Sequence, residues 1–462
     1  MFAPEIHAAR RRALLESGLS GIAVFPGNVE APMNYLDNCY PFRQDSTFLY
    51  YFGHDLPGLW GTVDFDAGEC ALWGEDATMD DIIWSGPVPS VAERAARVGA
   101  ERHGSLAGLA DFVREAQRQG RAVHFLPQYR AENRERLEAL TGIPAARQAE
   151  GVSRELSVAV VDQRSVKAPE EVVELEKAQV VSYDMYAAAM RMARLGVPER
   201  EIAGAMIGVV ARSGAIPSFP LILSVHGETL HIRSHANILE AGNLLLIDSG
   251  AESPEHYASD ITRVIPVGGR FDARQKSLYS ILHDAQVAAC AACRPGVTYR
   301  ELHLATARRI AEGLTALGIM KGNPAEAVEA GAHALFMPHG LGHMMGLDVH
   351  DMENIGENLV GYGDELTRSS QFGLSALRLA RTLRPGFVMT VEPGIYFIPA
   401  LVAKWRAEGR NEAFIDYAEV EKYLDYGGMR LEDDVLVTDD GARVLGPGIP
   451  KSIADIEAFM AD

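Results

Sequence analysis

Five short segments of this 462-residue chain set carboxylates, histidines and an arginine where chemistry could be done. In Leu244-Leu245-Leu246-Ile247-Asp248-Ser249-Gly250, a run of apolar residues ends in an aspartate. In His256 to Arg263, Asp260 precedes residues of strong strand propensity, so a hairpin would bring it beside Asp248. Between Phe336 and Asp351, His339, His343 and His350 stand among glycines, which let backbone approach a ligand closely. An apolar stretch from Val388 runs into Glu392 and a Pro-Gly turn. From Met429 to Val435, strand alternation puts Arg430 and Glu432 on one face.

Each segment alone has a plain reading as a turn, a cap, a satisfied histidine or a same-face ion pair. Gathered in one core, the four carboxylates would repel one another and protonate unless positive charge meets them. Two divalent cations would offset that charge. One imidazole with several carboxylates is a hard, oxygen-rich set that suits Mn, Co, Fe or Zn better than a thiolate-selected metal. Two such ions could share a hydroxide, lower its pKa and polarise a carbonyl. The expected chemistry is therefore hydrolysis of an amide or related bond.

The elements that must carry these residues read as α/β. Residues 1–160 alternate helices with short strands: a strand at 21–25, a hairpin at 59–65 and 69–73, a helix at 109–119 and a strand at 122–126. A helix start at Pro169-Glu170-Glu171 opens a second domain, 161–462, with helices at 169–194 and 200–213. Strands at 244–248 and 257–267 come next, then helices at 272–293 and 299–317, then strands at 387–392 and 429–438. Two helix-helix-strand-pair units thus follow one another. The stretch 351–377, rich in Gly, Asn and Glu, reads as a surface insertion.

Composition narrows the partners. Lys and Arg total 43 and Asp and Glu 63, a net charge of −20, which argues against nucleic acid or an anionic membrane surface. The four cysteines do not make a disulfide framework, and Cys290 and Cys293 read as buried helix residues. The first residues read as an amphipathic helix without the apolar run of a signal peptide, and no stretch has transmembrane length. A reducing cytoplasm is the expected location.

At LLLIDSG, YASDITR, HGLGHMMGLDVHD, TVEPGIYF and GMRLEDDV, in that order, the chain resembles the pita-bread metallopeptidases. The branch is that of Xaa-Pro aminopeptidase (aminopeptidase P) and Xaa-Pro dipeptidase (prolidase). Tyr40 to Phe48 resembles the N-terminal domain of that branch. The resemblance implies an N-terminal α/β domain over 1–160 and a pseudo-symmetric pita-bread catalytic domain over 161–462. It implies that Asp248 binds one metal, that Asp260 and Glu432 bridge two, and that His343 and Glu392 bind the other, with Mn as a common ion. Glu392 would also accept the proton of the attacking water. His231, His339 and His350 would line the site, His231 and His350 meeting the substrate carbonyl and the tetrahedral intermediate, and Arg430 would support it. Arg378 matches the arginine with which prolidases hold a free carboxylate, which favours a dipeptidase over an aminopeptidase acting on longer peptides. The substrate would be a proline-containing peptide and the protein a homodimer or homotetramer. The turn with Ser253-Pro254-Glu255 is one residue longer than the family spacing, which a loop absorbs readily. A metal-free creatinase-like hydrolase or a non-catalytic binding protein would lack some of these ligands, and a methionine aminopeptidase would lack the N-terminal domain.

Overall fold

The computed structural model describes residues 2–461. The chain forms two compact units, one holding the residues through Arg164 with Asn354–Gly356, the other Ser165–Glu353 and the residues from Glu357 onward.

The first unit is built on a five-stranded sheet. Its strands are β1 (Ile22–Pro26), β2 (Trp60–Asp64), β3 (Glu69–Trp73), β4 (Arg102–Gly104) and β5 (Val123–His124), in the order β4-β3-β2-β1-β5. The hairpin expected around Asp66-Ala67-Gly68 pairs β2 with β3, Trp60 opposite Trp73. The helix Leu106–Arg118 lays Leu109, Val113 and Ala116 onto Ile22, Val24, Trp60 and Trp73. That i, i+4, i+7 spacing is the apolar stripe of a helix packed on a sheet.

The second unit holds two helix pairs and the strands that carry the candidate residues. Helix Pro169–Met192 packs on helix Glu199–Arg212. Its first turn is satisfied by Glu171, whose carboxylate accepts from the Ala168 N–H at 2.9 Å. These helices accompany an antiparallel sheet of β6 (Ile222–Ser224), β7 (Leu244–Ser249) and β8 (Ile261–Pro266). Helices Ala273–Ala292 and Tyr299–Ala316 accompany β9 (Val388–Val391), β12 (Asp433–Val437) and β13 (Ala442–Val444), ordered β13-β12-β9. Strands β10 (Gly394–Tyr396) and β11 (Gly428–Arg430) pair separately. The two halves repeat a device. Gln179 of one helix bonds Asp434 and Gln286 of another bonds Asp433, while Tyr186 donates to Ile247 and Ile261 carbonyls and Tyr299 to Leu341 and Thr390 carbonyls.

Three expectations need correction. The single strand expected over 429–438 is two strands in different sheets. Pro393 has no N–H to continue a ladder, so the chain leaves β10 there, and the Glu432 N–H goes to the Thr262 carbonyl at 3.1 Å instead. The strand expected from 257 becomes regular only at Ile261, because the N–H groups of Ala258 and Asp260 are taken by the Gly346 carbonyl and the Asp434 carboxylate. The stretch 351–377 is solvated only in part. Asp351, Met352, Val360, Tyr362, Leu374 and Leu377 are all buried, and Glu357, Arg368, Ser375 and Ala376 wall a cavity. Among the described residues no helix is long and apolar enough to cross a membrane.

Candidate active site

All ten side chains singled out in the sequence line one cavity of about 620 Å³ in the second unit: His231, Asp248, Asp260, His339, His343, His350, Arg378, Glu392, Arg430 and Glu432. Antiparallel register sets the first two carboxylates side by side, because Asp248 lies opposite Thr262 and Asp260 immediately precedes β8. Glu432 joins them where its backbone bridges to Thr262. His343 is held along β9 by a backbone bond from the Thr390 N–H at 3.0 Å, and Glu392 by its own N–H to the Leu341 carbonyl at 2.8 Å. Gly342 makes this approach possible, since a Cβ there would collide with the Thr390 carbonyl and the Tyr299 hydroxyl.

Ligand atoms of Asp260, His343 and Glu432 come within 4.8 Å of one another. His343 Nδ1 meets the Met344 carbonyl at 3.1 Å, and a carbonyl only accepts, so the proton sits on Nδ1. Nε2 then faces Asp260 Oδ2 at 3.4 Å and Glu392 Oε1 at 3.6 Å. A histidine nitrogen and carboxylate oxygens turned toward one point are the donor arrangement of a metal site. Asp248 Oδ1 and Asp260 Oδ1 are buried with no hydrogen-bond partner. Burial pushes the Asp260 and Glu432 carboxyls well above the usual carboxylate range, and the neighbouring carboxylates push them further. Glu392 is raised too, by burial first. The Arg430 guanidinium is set among these carboxylates and is paired with Asp248. The donor set therefore fits divalent cations.

Several supporting residues escaped the sequence reading. Thr262 donates to Glu432 Oε2 at 2.5 Å and accepts from Arg430 Nε at 3.0 Å. Thr390 accepts from the His343 N–H at 3.1 Å and donates to Glu392 Oε1 at 3.2 Å. Asp434, raised to about 8 by burial, accepts from the Asp260 N–H at 3.0 Å. Each stands two residues from a candidate carboxylate, so the period-two rule that marked Arg430 could also have marked them. Tyr396 links Arg430 Nη1 to His339 Nε2, each at 2.9 Å. With His339 Nδ1 on the Gly340 carbonyl at 2.7 Å, both of its ring nitrogens are engaged, and burial lowers it to about 3. His231 is exposed at the cavity wall. Arg378 also lines the cavity and already donates from Nη1 to Glu353 and Glu357, at 2.6 and 3.0 Å.

Comparison with known proteins agrees with this geometry. The profile of metallopeptidase family M24 matches residues 173–439, and that of the aminopeptidase P N-terminal domain matches residues 7–124. The chain is 30% identical to a human Xaa-Pro dipeptidase, covering 98% of this chain and 90% of that protein. It is 31% identical to a probable Xaa-Pro aminopeptidase of Aspergillus fumigatus, over 98% and 96%. Among solved structures, the Pseudomonas aeruginosa aminopeptidase PepP superposes with a TM-score of 0.82 at 29% identity, over 100% of this chain and 98% of that one. The aminopeptidase P of E. coli with the inhibitor Pro-Leu gives 0.80 at 27%, over 100% and 98%. A mixed α/β chain with an N-terminal unit, a carboxylate-lined cleft fit for divalent metal and matches along its whole length belongs to metallopeptidase family M24 and is a hydrolase.

Proposed function

We propose that this chain hydrolyses the peptide bond preceding proline and that it is foremost a Xaa-Pro dipeptidase. The convergence of Asp260, His343 and Glu432 in a cavity that also holds Arg378 carries the reading, and the Xaa-Pro names of its relatives support it. Asp248, Asp260, His343, Glu392 and Glu432 would hold two divalent ions, Mn before Co, Fe or Zn. Asp260 and Glu432 would be shared between them. When bound, such ions make water nucleophilic near neutral pH and polarise a carbonyl.

The protein's own groups do the rest. Glu392, whose carboxyl burial raises, would take the proton of the attacking water. It returns that proton to the departing proline nitrogen, which carries no hydrogen of its own in the peptide. His231 and His350 would meet the substrate carbonyl and the tetrahedral intermediate from the cavity wall. Arg430 holds Asp248 and, through Tyr396, His339. Arg378 would receive the free carboxylate of a dipeptide, for which a guanidinium is well shaped.

One observation favours the second reading, an aminopeptidase acting on longer peptides: Glu353 and Glu357 already engage Arg378. Rates on a Xaa-Pro dipeptide and a Xaa-Pro-Xaa tripeptide with added Mn separate the two. Loss of dipeptide cleavage alone in Arg378→Ala supports the dipeptidase, and equal wild-type cleavage of long peptides overturns it.

We further propose that residues 1–160 form the aminopeptidase-P-type domain and 161–462 a pita-bread catalytic domain, and that the protein is a cytoplasmic homodimer or homotetramer. Self-association is supported by the helix Met79–Ser85 of the first unit. None of its residues is buried, and Met79, Ile82, Ile83 and Trp84 are exposed.

A further inference from the structure

We propose that Glu353 is a positioning residue that ties the His350 imidazole to the Arg378 guanidinium, so that what Arg378 holds is felt at His350; this rests on the Xaa-Pro peptidase reading above. A single carboxylate oxygen makes the link. Glu353 Oε2 accepts from His350 Nδ1 at 3.0 Å and from Arg378 Nη1 at 2.6 Å. Arg378 Nη1 also donates to Glu357 Oε2 at 3.0 Å, and Glu357 pairs in turn with Arg368. Two arginines and two glutamates thus form a charge-balanced cluster beside the cavity that His350 lines.

On its other side the His350 ring stacks on His343, with centroids 3.9 Å apart and planes 14° apart. The stack fixes the plane of the ring but not which nitrogen points where. The bond to Glu353 does that. An ionised carboxylate only accepts, so Nδ1 carries a proton and Nε2 is the nitrogen left to meet a substrate. The backbone bends to bring this about. Met352 sits at φ 63°, a left-handed conformation that residues with a Cβ seldom adopt, and it turns the chain so that Glu353 faces back onto His350.

Sharing one acceptor gives the cluster a response. A carboxylate arriving at Arg378 competes with Glu353 and Glu357 for the guanidinium. As Arg378 turns to it, Glu353 Oε2 is shared less and its bond to His350 tightens. A peptide that continues past proline brings no carboxylate to that place and leaves the cluster as it stands. The preference for a free carboxylate then shows in turnover as well as in binding.

The experiment compares wild type, Glu353→Ala and Glu353→Gln, each loaded with Mn, on a Xaa-Pro dipeptide and its C-terminal amide. Histidine protonation is read in parallel from nitrogen-15 spectra of the same proteins loaded with diamagnetic Zn, with His350 assigned through His350→Gln. In Glu353→Ala, kcat on the dipeptide should fall about 10- to 100-fold, the range for losing a group that orients a site histidine. KM should move much less, and bound Mn should stay at the wild-type level. Glu353→Gln keeps an oxygen that accepts from Nδ1–H and should recover most of the lost kcat. Its His350 should keep the Nδ1 proton, while Glu353→Ala should show a mixture of tautomers. A wild-type kcat in Glu353→Ala, a loss confined to KM, or an unchanged His350 signal in that variant would overturn the proposal. A wild type that cleaves neither substrate would instead sink the Xaa-Pro reading, and the His350 signal would still decide the link.

Discussion

Asp260 and Glu432 carry the heaviest electrostatic load in the cleft, both buried and both raised by burial and by neighbouring carboxylates. Without metal, each keeps its proton in the folded chain at pH values where the unfolded chain has lost it. Raising the pH from about 4 toward the folded values therefore costs the metal-free protein stability. A divalent ion displaces those protons when it binds. The gain in melting temperature on adding Mn, relative to EDTA, should accordingly grow from about pH 5 to about pH 8. His303 and His333, lowered by burial to about 3 and about 4, work the other way, since their neutral folded forms lose stability as the pH falls through the unfolded value. They do so with and without Mn, so they cancel from the difference. A gain that stays flat across that range would mean that metal does not displace protons from these carboxylates. Thr262, which touches both Glu432 and Arg430, should matter nearly as much as a ligand. Thr262→Val, close in shape but without the hydroxyl, should lower Mn affinity or hydrolysis about 10- to 100-fold, measured by calorimetric titration and by rate.

Packing between elements keeps these residues in register. Lys167, just before the helix that begins at Pro169, forms a buried ion pair with Asp351 at 2.8 Å, each side chain 1% exposed. Asp351 ends the run that carries His343 and His350, so the pair fastens that run to the start of the second unit. Lys167→Met leaves Asp351 buried opposite an apolar group. It should cost about 3–5 kcal/mol in urea unfolding. Lys167→Met with Asp351→Leu should cost less than the single change, and equal costs would show that the pair is not what holds the run. The two helix pairs of the second unit and the main hairpins were legible, and the carboxylates from their places at the ends of apolar strands, while helices such as Ala131–Thr141 and Arg154–Ser165 were not. The break between β11 and β12 was not legible, because Met429 to Thr438 alternates like one strand and the cause, Pro393, lies far off in sequence, in the link between β9 and β10. Nor was the wall formed by 351–377. Its Gly, Asn and Glu residues read as solvated, while Met352, Val360 and Tyr362 are buried. The threonines and Asp434 were within reach of the same alternation that marked Arg430, whereas Glu353 has no sequence signature apart from its distance to His350.

For the whole molecule, the N-terminal unit follows the pattern of aminopeptidase P and leaves its helix Met79–Ser85 unburied. If that helix is a contact between copies, Ile83→Lys with Trp84→Lys should lower the mass found by light scattering after gel filtration and leave the melting temperature within about 2 °C. An unchanged mass would remove the helix from the interface. Every supporting contact described around the cleft serves a site that gathers carboxylates around divalent metal to hydrolyse a Xaa-Pro bond. The most direct test is elemental analysis of protein purified without chelator, wild type beside Glu432→Ala, with Xaa-Pro hydrolysis read on the same samples. About two divalent ions per chain in the wild type, with metal and activity lost together in Glu432→Ala, is the expected result. A wild type that hydrolyses Xaa-Pro substrates with no divalent ion bound, or a Glu432→Ala protein that keeps both ions and the wild-type rate, would contradict it.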